Sequence, residues 1–211
     1  LLSIRNDRVP KNYVASLGFT SLKASSISRK ISSLRSFYNF LVDKEIVNNN
    51  FFTSVETPKI PKKLPKIVKT EDLRLMFNAC DKNTVLGARN YIILDLLYST
   101  GIRVSELCSI QIKNIDFSNE SINIYGKGKK ERIVLIHKDL KDRLKNYIST
   151  NRIKLLSRSG NETNRTLLLN NKGESLSTRG VRVILNNIIR DCGESFHVSP
   201  HMLRHSFATE L

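Results

Sequence analysis

Apolar residues recur at three- and four-residue steps across positions 25–47. Ile27, Ile31, Leu34, Phe37 or Tyr38, and Leu41 fall in register, which is the period of an amphipathic helix. Ser25 or Ser26 can cap its start, and Arg29, Lys30 and Arg35 fall on the opposite, basic side. The pattern then breaks. Thr57-Pro58-Lys59-Ile60-Pro61-Lys62-Lys63-Leu64-Pro65-Lys66 carries three prolines within eight residues, which forbids helix and favours an extended course. Helical patterning resumes at Thr70, read as an N-cap followed by Glu71 and Asp72 in the first turn. A further helix is predicted over 86–99, stopped by Gly101, and a third begins near Val104 or Ser105. The longest apolar run, Tyr91 to Tyr98, is interrupted by Asp95 and reads as a core helix, too short to cross a bilayer.

Strand alternation replaces the helical period in the middle of the second segment. Residues 121–125 (SINIY) and 132–136 (RIVLI) flank Gly126-Lys127-Gly128-Lys129-Lys130, the pattern of two antiparallel strands around a glycine-containing turn. Leu140, Leu144 and Ile148 mark another helix, 166–170 a short strand, and 177–191 a helix with Val181, Ile184, Leu185 and Ile188 on one face. The expected fold is therefore mainly α with a small antiparallel β-sheet, in two parts: a helical piece over 1–56, a linker over 57–67, and an α+β domain over 68–211.

Charge changes the picture more than overall composition does. Of 211 residues, 40% are hydrophobic and 26% charged, an ordinary globular balance. Yet 35 Lys and Arg stand against 19 Asp and Glu, for a net +16, which points to a polyanionic partner such as nucleic acid or an anionic membrane surface. Cys80, Cys108 and Cys192 are odd in number and lack a CxxC spacing, so they read as reduced thiols of a cytoplasmic protein. No signal peptide is visible. The first residue is Leu1 rather than Met, so residues are expected upstream.

Three clusters could carry chemistry. In Thr100-Gly101-Ile102-Arg103-Val104-Ser105-Glu106-Leu107, an arginine follows a helix end and a carboxylate comes three residues later. That suits a phosphate-binding guanidinium held by an acid, although an exposed ion pair in a turn is the bland alternative. In Gly126-Lys127-Gly128-Lys129-Lys130-Glu131-Arg132, a lysine sits at a hairpin tip; the spacing is not that of a P-loop. In Ser199-Pro200-His201-Met202-Leu203-Arg204-His205, Ser199 caps a helix whose first residue is Pro200. His201 and Arg204 then lie one turn apart, where free amides and the helix dipole favour an anion. His201 and His205 lack the Glu of a metal-binding HExxH, and Arg204 between them adds repulsion, so no metal is expected.

Arg103 in TGIRVSEL, Lys127 in GKGKKER, and HMLRHSFAT from His201 to Thr209 resemble the tyrosine recombinases of the phage integrase family, most of all the bacterial Xer type. SRKISSLRSFYNFL at 28–41 and the KIPKKLP segment resemble that group's core-binding domain and interdomain linker. The resemblance implies a helical core-binding (SAM-like) domain and a catalytic domain closing as a C-shaped clamp around DNA. Arg103 and Arg204 would be its active-site arginines, Lys127 its hairpin lysine, His201 the histidine of its HxxR pair, and Glu106 the acid supporting Arg103. It also implies a metal- and cofactor-free transesterification through a 3′-phosphotyrosine. The expected partners are a double-stranded DNA site, a homo- or hetero-tetramer with a paralogous recombinase, and a DNA-translocase activator; no membrane insertion is expected. The Xer type resolves chromosome dimers for partition at cell division. A phage, transposon or integron integrase of the same family is one alternative, a non-catalytic DNA-binding module another. The family's nucleophilic tyrosine follows the last helix, so it is expected beyond Leu211, and the chain alone is expected to bind DNA without forming a covalent adduct.

Overall fold

The computed structural model describes residues 8–60, 67–126, 131–161, 163–193 and 198–210. The chain divides into two compact units, Leu1–Leu64 and Pro65–Leu211.

In the first unit, α1 (Arg8–Gly18) packs against α2 (Ala24–Asp43). The apolar stripe of α2 chooses Tyr38 over Phe37: Tyr38 is buried and Phe37 exposed. Ile31, Tyr38 and Leu41 join Phe52 and Val55 in a small core, with the Tyr38 and Phe52 rings 5.1 Å apart. Arg35 does not belong to the basic side. Its Nε donates to the Phe52 carbonyl at 3.2 Å and an Nη to the Val55 carbonyl at 2.8 Å, tying the following turns to the helix. Helix α2 begins without Ser25 or Ser26 as cap. Lys23 holds the N-cap position with extended backbone and no side-chain bond, and the helix ends at Asp43, four residues before Val47.

The second unit is built around α4 (Val85–Thr100), which packs against α5 (Val104–Ser109), α6 (Lys138–Ser149), α7 (Asn151–Leu156) and α9 (Pro200–Glu210). Being surrounded, α4 buries Ile92, Ile93, Leu94, Leu96 and Leu97 on every side rather than along a stripe. Asp95, also buried, is neutralised by Arg143 of α6 at 2.9 and 2.6 Å. Helix α3 (Thr70–Asn78) includes Thr70 as its first residue, with Lys69 at the cap, and α8 (Thr178–Asp191) starts on Ser177, which accepts from Gly180 N–H at 3.1 Å.

The sheet is antiparallel in the order β1 (Ile115–Asp116), β2 (Ser121–Tyr125), β3 (Glu131–Leu135). Ile124 faces Arg132 and Ile122 faces Val134 in the ladder. Strand alternation therefore sends Arg132 to the same face as the buried Ile122 and Ile124, and Ile133 and Leu135 outward to solvent. The strand expected over 166–170 does not form. Gln111 pairs with Thr166 and Leu169 with Ser175 only as isolated bridges, while Leu167, Leu168 and Leu169 are fully buried between them. Among the described residues no helix is long and apolar enough to cross a membrane.

Candidate active site

Helix α4 stops because Gly101 takes the left-handed conformation, φ 58°, ψ 24°. A Cβ there would lie 2.5 Å from the Phe207 ring of α9. This close approach brings the two helices together, and the Gly101 carbonyl accepts a hydrogen bond from Arg204 Nη1. The backbone then turns through Ile102 into α5, placing Arg103 at the helix N-cap and Glu106 one turn inside. A second tether fixes α9 from the other side. The buried Ser206 hydroxyl accepts from Val68 N–H at 2.9 Å and donates to the Met202 carbonyl at 3.0 Å.

Glu106 is the electrostatic centre of this corner. Its side chain is only 4% exposed and accepts four hydrogen bonds. Arg103 N–H donates to Oε2 at 2.7 Å and Arg103 Nη1 to Oε1 at 2.9 Å; Arg132 donates Nη1 to Oε1 at 2.8 Å and Nη2 to Oε2 at 2.7 Å. The Arg132 fork, outweighing the cost of burial, holds the Glu106 carboxyl down at about 2, with the Arg103 donors adding to it. Arg103 keeps more than half of its side chain in solvent. Arg204 is pulled below the ordinary guanidinium value by burial first and then by repulsion from Arg103, with Glu106 partly offsetting this and Arg132 adding to it. Two guanidinium groups thus bond one carboxylate and a third, Arg204, lies within its field, leaving a local excess of two positive charges.

Two open hollows meet at Arg132. One, of about 740 Å³, is lined by Arg103, Ser105, Glu106, Tyr125, Glu131 and Arg132. The other, of about 330 Å³, is lined by Thr100, Gly101, Arg132, Arg204 and Phe207. Such a surface can bind an anion of phosphate size and stabilise further negative charge upon it.

Of the residues singled out in the sequence, Arg103, Glu106 and Arg204 come together here. Lys127 lies outside the described residues, as do Lys129 and Lys130. His201 is exposed at the first turn of α9 and lines neither hollow. The Ser199 hydroxyl accepts from Met202 N–H at 3.3 Å, so α9 starts where its cap predicts. Arg132 was missed, although it stands in the same GKGKKER motif. Strand parity was the available signal, since a charged residue on the buried face of a strand requires a partner. Tyr125 was also missed as a lining residue; the remaining tyrosines are not among the residues lining either hollow, and Tyr38 and Tyr147 are buried. Burial pushes the Cys80 thiol up to about 12 and Cys108 to about 11, so neither is an activated nucleophile. Among the described residues no group of three or more His, Cys, Asp or Glu is arranged to hold a metal ion.

Comparison with known proteins bears on the family of the chain. Residues 66–211 match the pattern described as the phage integrase family, and residues 1–45 the phage integrase N-terminal SAM-like domain. The tyrosine recombinase XerC of Anoxybacillus flavithermus is 46% identical over 186 residues, 88% of this chain and 62% of the relative. XerC of Bacillus subtilis is 39% identical over 190 residues, 90% of this chain and again 62% of the relative, so the chain spans less than two thirds of their length. Among solved structures, the XerH site-specific recombinase bound to its difH substrate superposes with a TM-score of 0.71 at 24% identity, covering 99% of this chain and 60% of that one. A paired-arginine corner on a mainly helical scaffold, with family patterns covering nearly all of the sequence, leads to one assignment: the chain belongs to the phage integrase family and is similar to the tyrosine recombinases named XerC.

Proposed function

We propose that the protein is a DNA strand transferase that needs no metal, a Xer-type recombinase cutting and rejoining DNA through a 3′-phosphotyrosyl intermediate. The observation that carries this reading is the cluster of Arg103, Arg132 and Arg204 around the single buried carboxylate of Glu106. An excess of fixed positive charge beside an open groove suits a phosphodiester, and it suits the more highly charged transition state better still. Guanidinium is planar, always charged and able to donate in pairs to phosphate oxygens. Loss of one well-placed donor typically costs on the order of 100–1,000-fold in rate.

In the proposed step a tyrosine oxygen forms a bond to phosphorus and the bond from phosphorus to the 5′-oxygen breaks. Arg103 and Arg204 bind the non-bridging oxygens. Lys127 gives its proton to the departing 5′-oxygen, a contribution worth roughly 100–10,000-fold for so poor a leaving group. His201 hydrogen-bonds the phosphate or assists removal of the tyrosine proton. A 5′-hydroxyl of a partner duplex then reverses the step, so bond energy is conserved and no nucleotide cofactor is consumed. The partners that follow are two double-stranded DNA sites and a tetramer with copies or paralogues of the protein, with a DNA-translocase as activator. The resemblance to Xer-type proteins favours resolution of chromosome dimers at cell division, in the cytoplasm.

None of the six tyrosines in this chain is proposed as nucleophile. On a nicked suicide substrate the 211-residue chain is expected to bind DNA and form no covalent adduct. An adduct that appears with the parent and vanishes with Tyr125→Phe would overturn this and name the residue. In the full-length protein, Arg204→Ala is expected to reduce cleavage at least 100-fold while leaving DNA binding largely intact. Equal cleavage by variant and parent would remove the catalytic reading and leave a DNA-binding module.

A further inference from the structure

An arginine paired one-to-one with a carboxylate is electrically neutral and presents little field to a phosphate. Arg103 and Glu106 are neighbours on one helical turn and would form such a pair if left to themselves. The structure places a second guanidinium on the same carboxylate. Arg132 reaches Glu106 from β3, 26 residues further along the chain, and forms a two-pronged bond with both oxygens at 2.8 and 2.7 Å. Arg103 makes only one side-chain bond to that carboxylate, its other contact being through the backbone N–H. The trio therefore carries a net charge of +1, and the exposed part of the Arg103 guanidinium is left uncommitted.

We propose that Arg132 is a positioning residue that acts through Glu106: by engaging both carboxylate oxygens, it leaves the charge of Arg103 uncompensated toward the phosphate and prevents a two-pronged collapse of Arg103 onto the acid. This rests on the recombinase reading above and adds to it a residue outside the expected set of Arg103, Lys127, His201 and Arg204. Three features support it. Strand parity turns Arg132 inward, opposite Ile124 in the ladder, so its direction is fixed by the sheet rather than by the charge it meets. The bidentate fork is the geometry in which guanidinium holds a carboxylate most firmly. Arg132 also lines both hollows, so the balance it sets is felt by Arg103 on one side and Arg204 on the other.

A double-mutant cycle in the full-length protein tests this, reading single-turnover cleavage of a nicked substrate. Arg132→Gln is expected to slow cleavage roughly ten- to a hundred-fold, less than the loss of a donor that touches the transition state. The same change in a Glu106→Gln background is expected to cost less than about threefold, because no acid remains to capture Arg103. A loss of equal size in both backgrounds, or no loss in the parent, overturns the proposal, since a direct phosphate contact would not depend on the acid; a loss that vanishes when cleavage is read well below each variant's thermal midpoint is structural and overturns it as well. Should Arg132→Gln fail to fold, Arg132→Lys carries the cycle. Lysine keeps the charge and loses the fork, so a smaller loss that again disappears with Glu106→Gln is expected, and an undiminished loss overturns. Arg204→Ala in the same assay separates the two levels. If that variant cleaves as the parent does, the recombinase reading fails; if it is dead while Arg132→Gln is unimpaired, only the role given to Arg132 fails.

Discussion

Replacing Glu106 by Gln removes the charge and keeps the shape, which isolates what its four accepted hydrogen bonds contribute to stability. The carboxyl is lowered from 4.5 to about 2 in the folded protein, chiefly by the Arg132 fork. A group lowered on folding stabilises above its unfolded value, and that stabilisation is lost as pH falls through its folded value. The shift corresponds to about 3 kcal/mol. Glu106→Gln is therefore expected to be less stable than the parent at pH 7 by an amount of this order. The gap should narrow as pH falls below 4.5 and close near pH 2. Denaturant midpoints measured from pH 7 down to pH 2 check this, and a gap that stays constant across the range rules it out. Arg103 and Glu106 were legible in the sequence because they are three residues apart on one helical turn. The Arg132 half of the same carboxylate was not, because it depends on the pairing register of a hairpin, and register is a property of two strands rather than of a motif.

At the level of elements, the junction of α4 and α9 hangs on one glycine. Gly101→Ala puts an L-residue into the left-handed region and drives its Cβ to 2.5 Å from the Phe207 ring. The two penalties together are expected to cost about 2–4 kcal/mol, read as a lowered thermal midpoint. Cleavage should fall beyond what the stability loss explains, because the Gly101 carbonyl is also the anchor of Arg204. Unchanged stability would mean that α9 moves aside without cost. The long helices were readable because a 3.6-residue apolar period accumulates over several turns, as in α2 and α8. Short pieces were not. Helix α7 has six residues and β1 two, too few for any period to declare itself. The Leu167-Leu168-Leu169 run misled in another way: full burial on all sides looks like a core strand, yet its backbone partners are scattered, with Leu167 N–H donating to Ile110 and Leu176 N–H to the Leu168 carbonyl. Of the caps read from the sequence, Ser199 bonds as expected, whereas Lys23 and Lys69 take the cap positions expected of Ser25 or Ser26 and of Thr70.

At the level of the whole molecule, the net charge of +16 overstates what is free to meet the polyanion of the proposed reading. Arg35 and Arg152 spend their donors on backbone carbonyls, Arg89 on the Leu169 carbonyl and the Asn90 side chain, and Arg143 is committed to the buried Asp95. These arginines hold the fold, so they are not candidates for phosphate contacts. The remaining surplus still predicts steep salt dependence. A protein contacting roughly 6–10 phosphates loses about 10³–10⁵ in affinity between 50 and 200 mM salt. Titrating binding to a duplex over that range is expected to give a linear log–log fall of this size. Arg143→Ala supplies the internal control. Breaking its pair with Asp95 leaves the buried carboxylate with only His137 Nε2, at 3.4 Å, beside it and is expected to lower stability by about 3 kcal/mol, yet to leave the salt slope of the folded protein unchanged. A flat salt response in the parent would argue against a phosphate-binding surface altogether. A slope reduced by one unit in Arg143→Ala would instead mean that this arginine leaves Asp95 to reach the DNA, and the division between structural and binding arginines would have to be redrawn from the slopes.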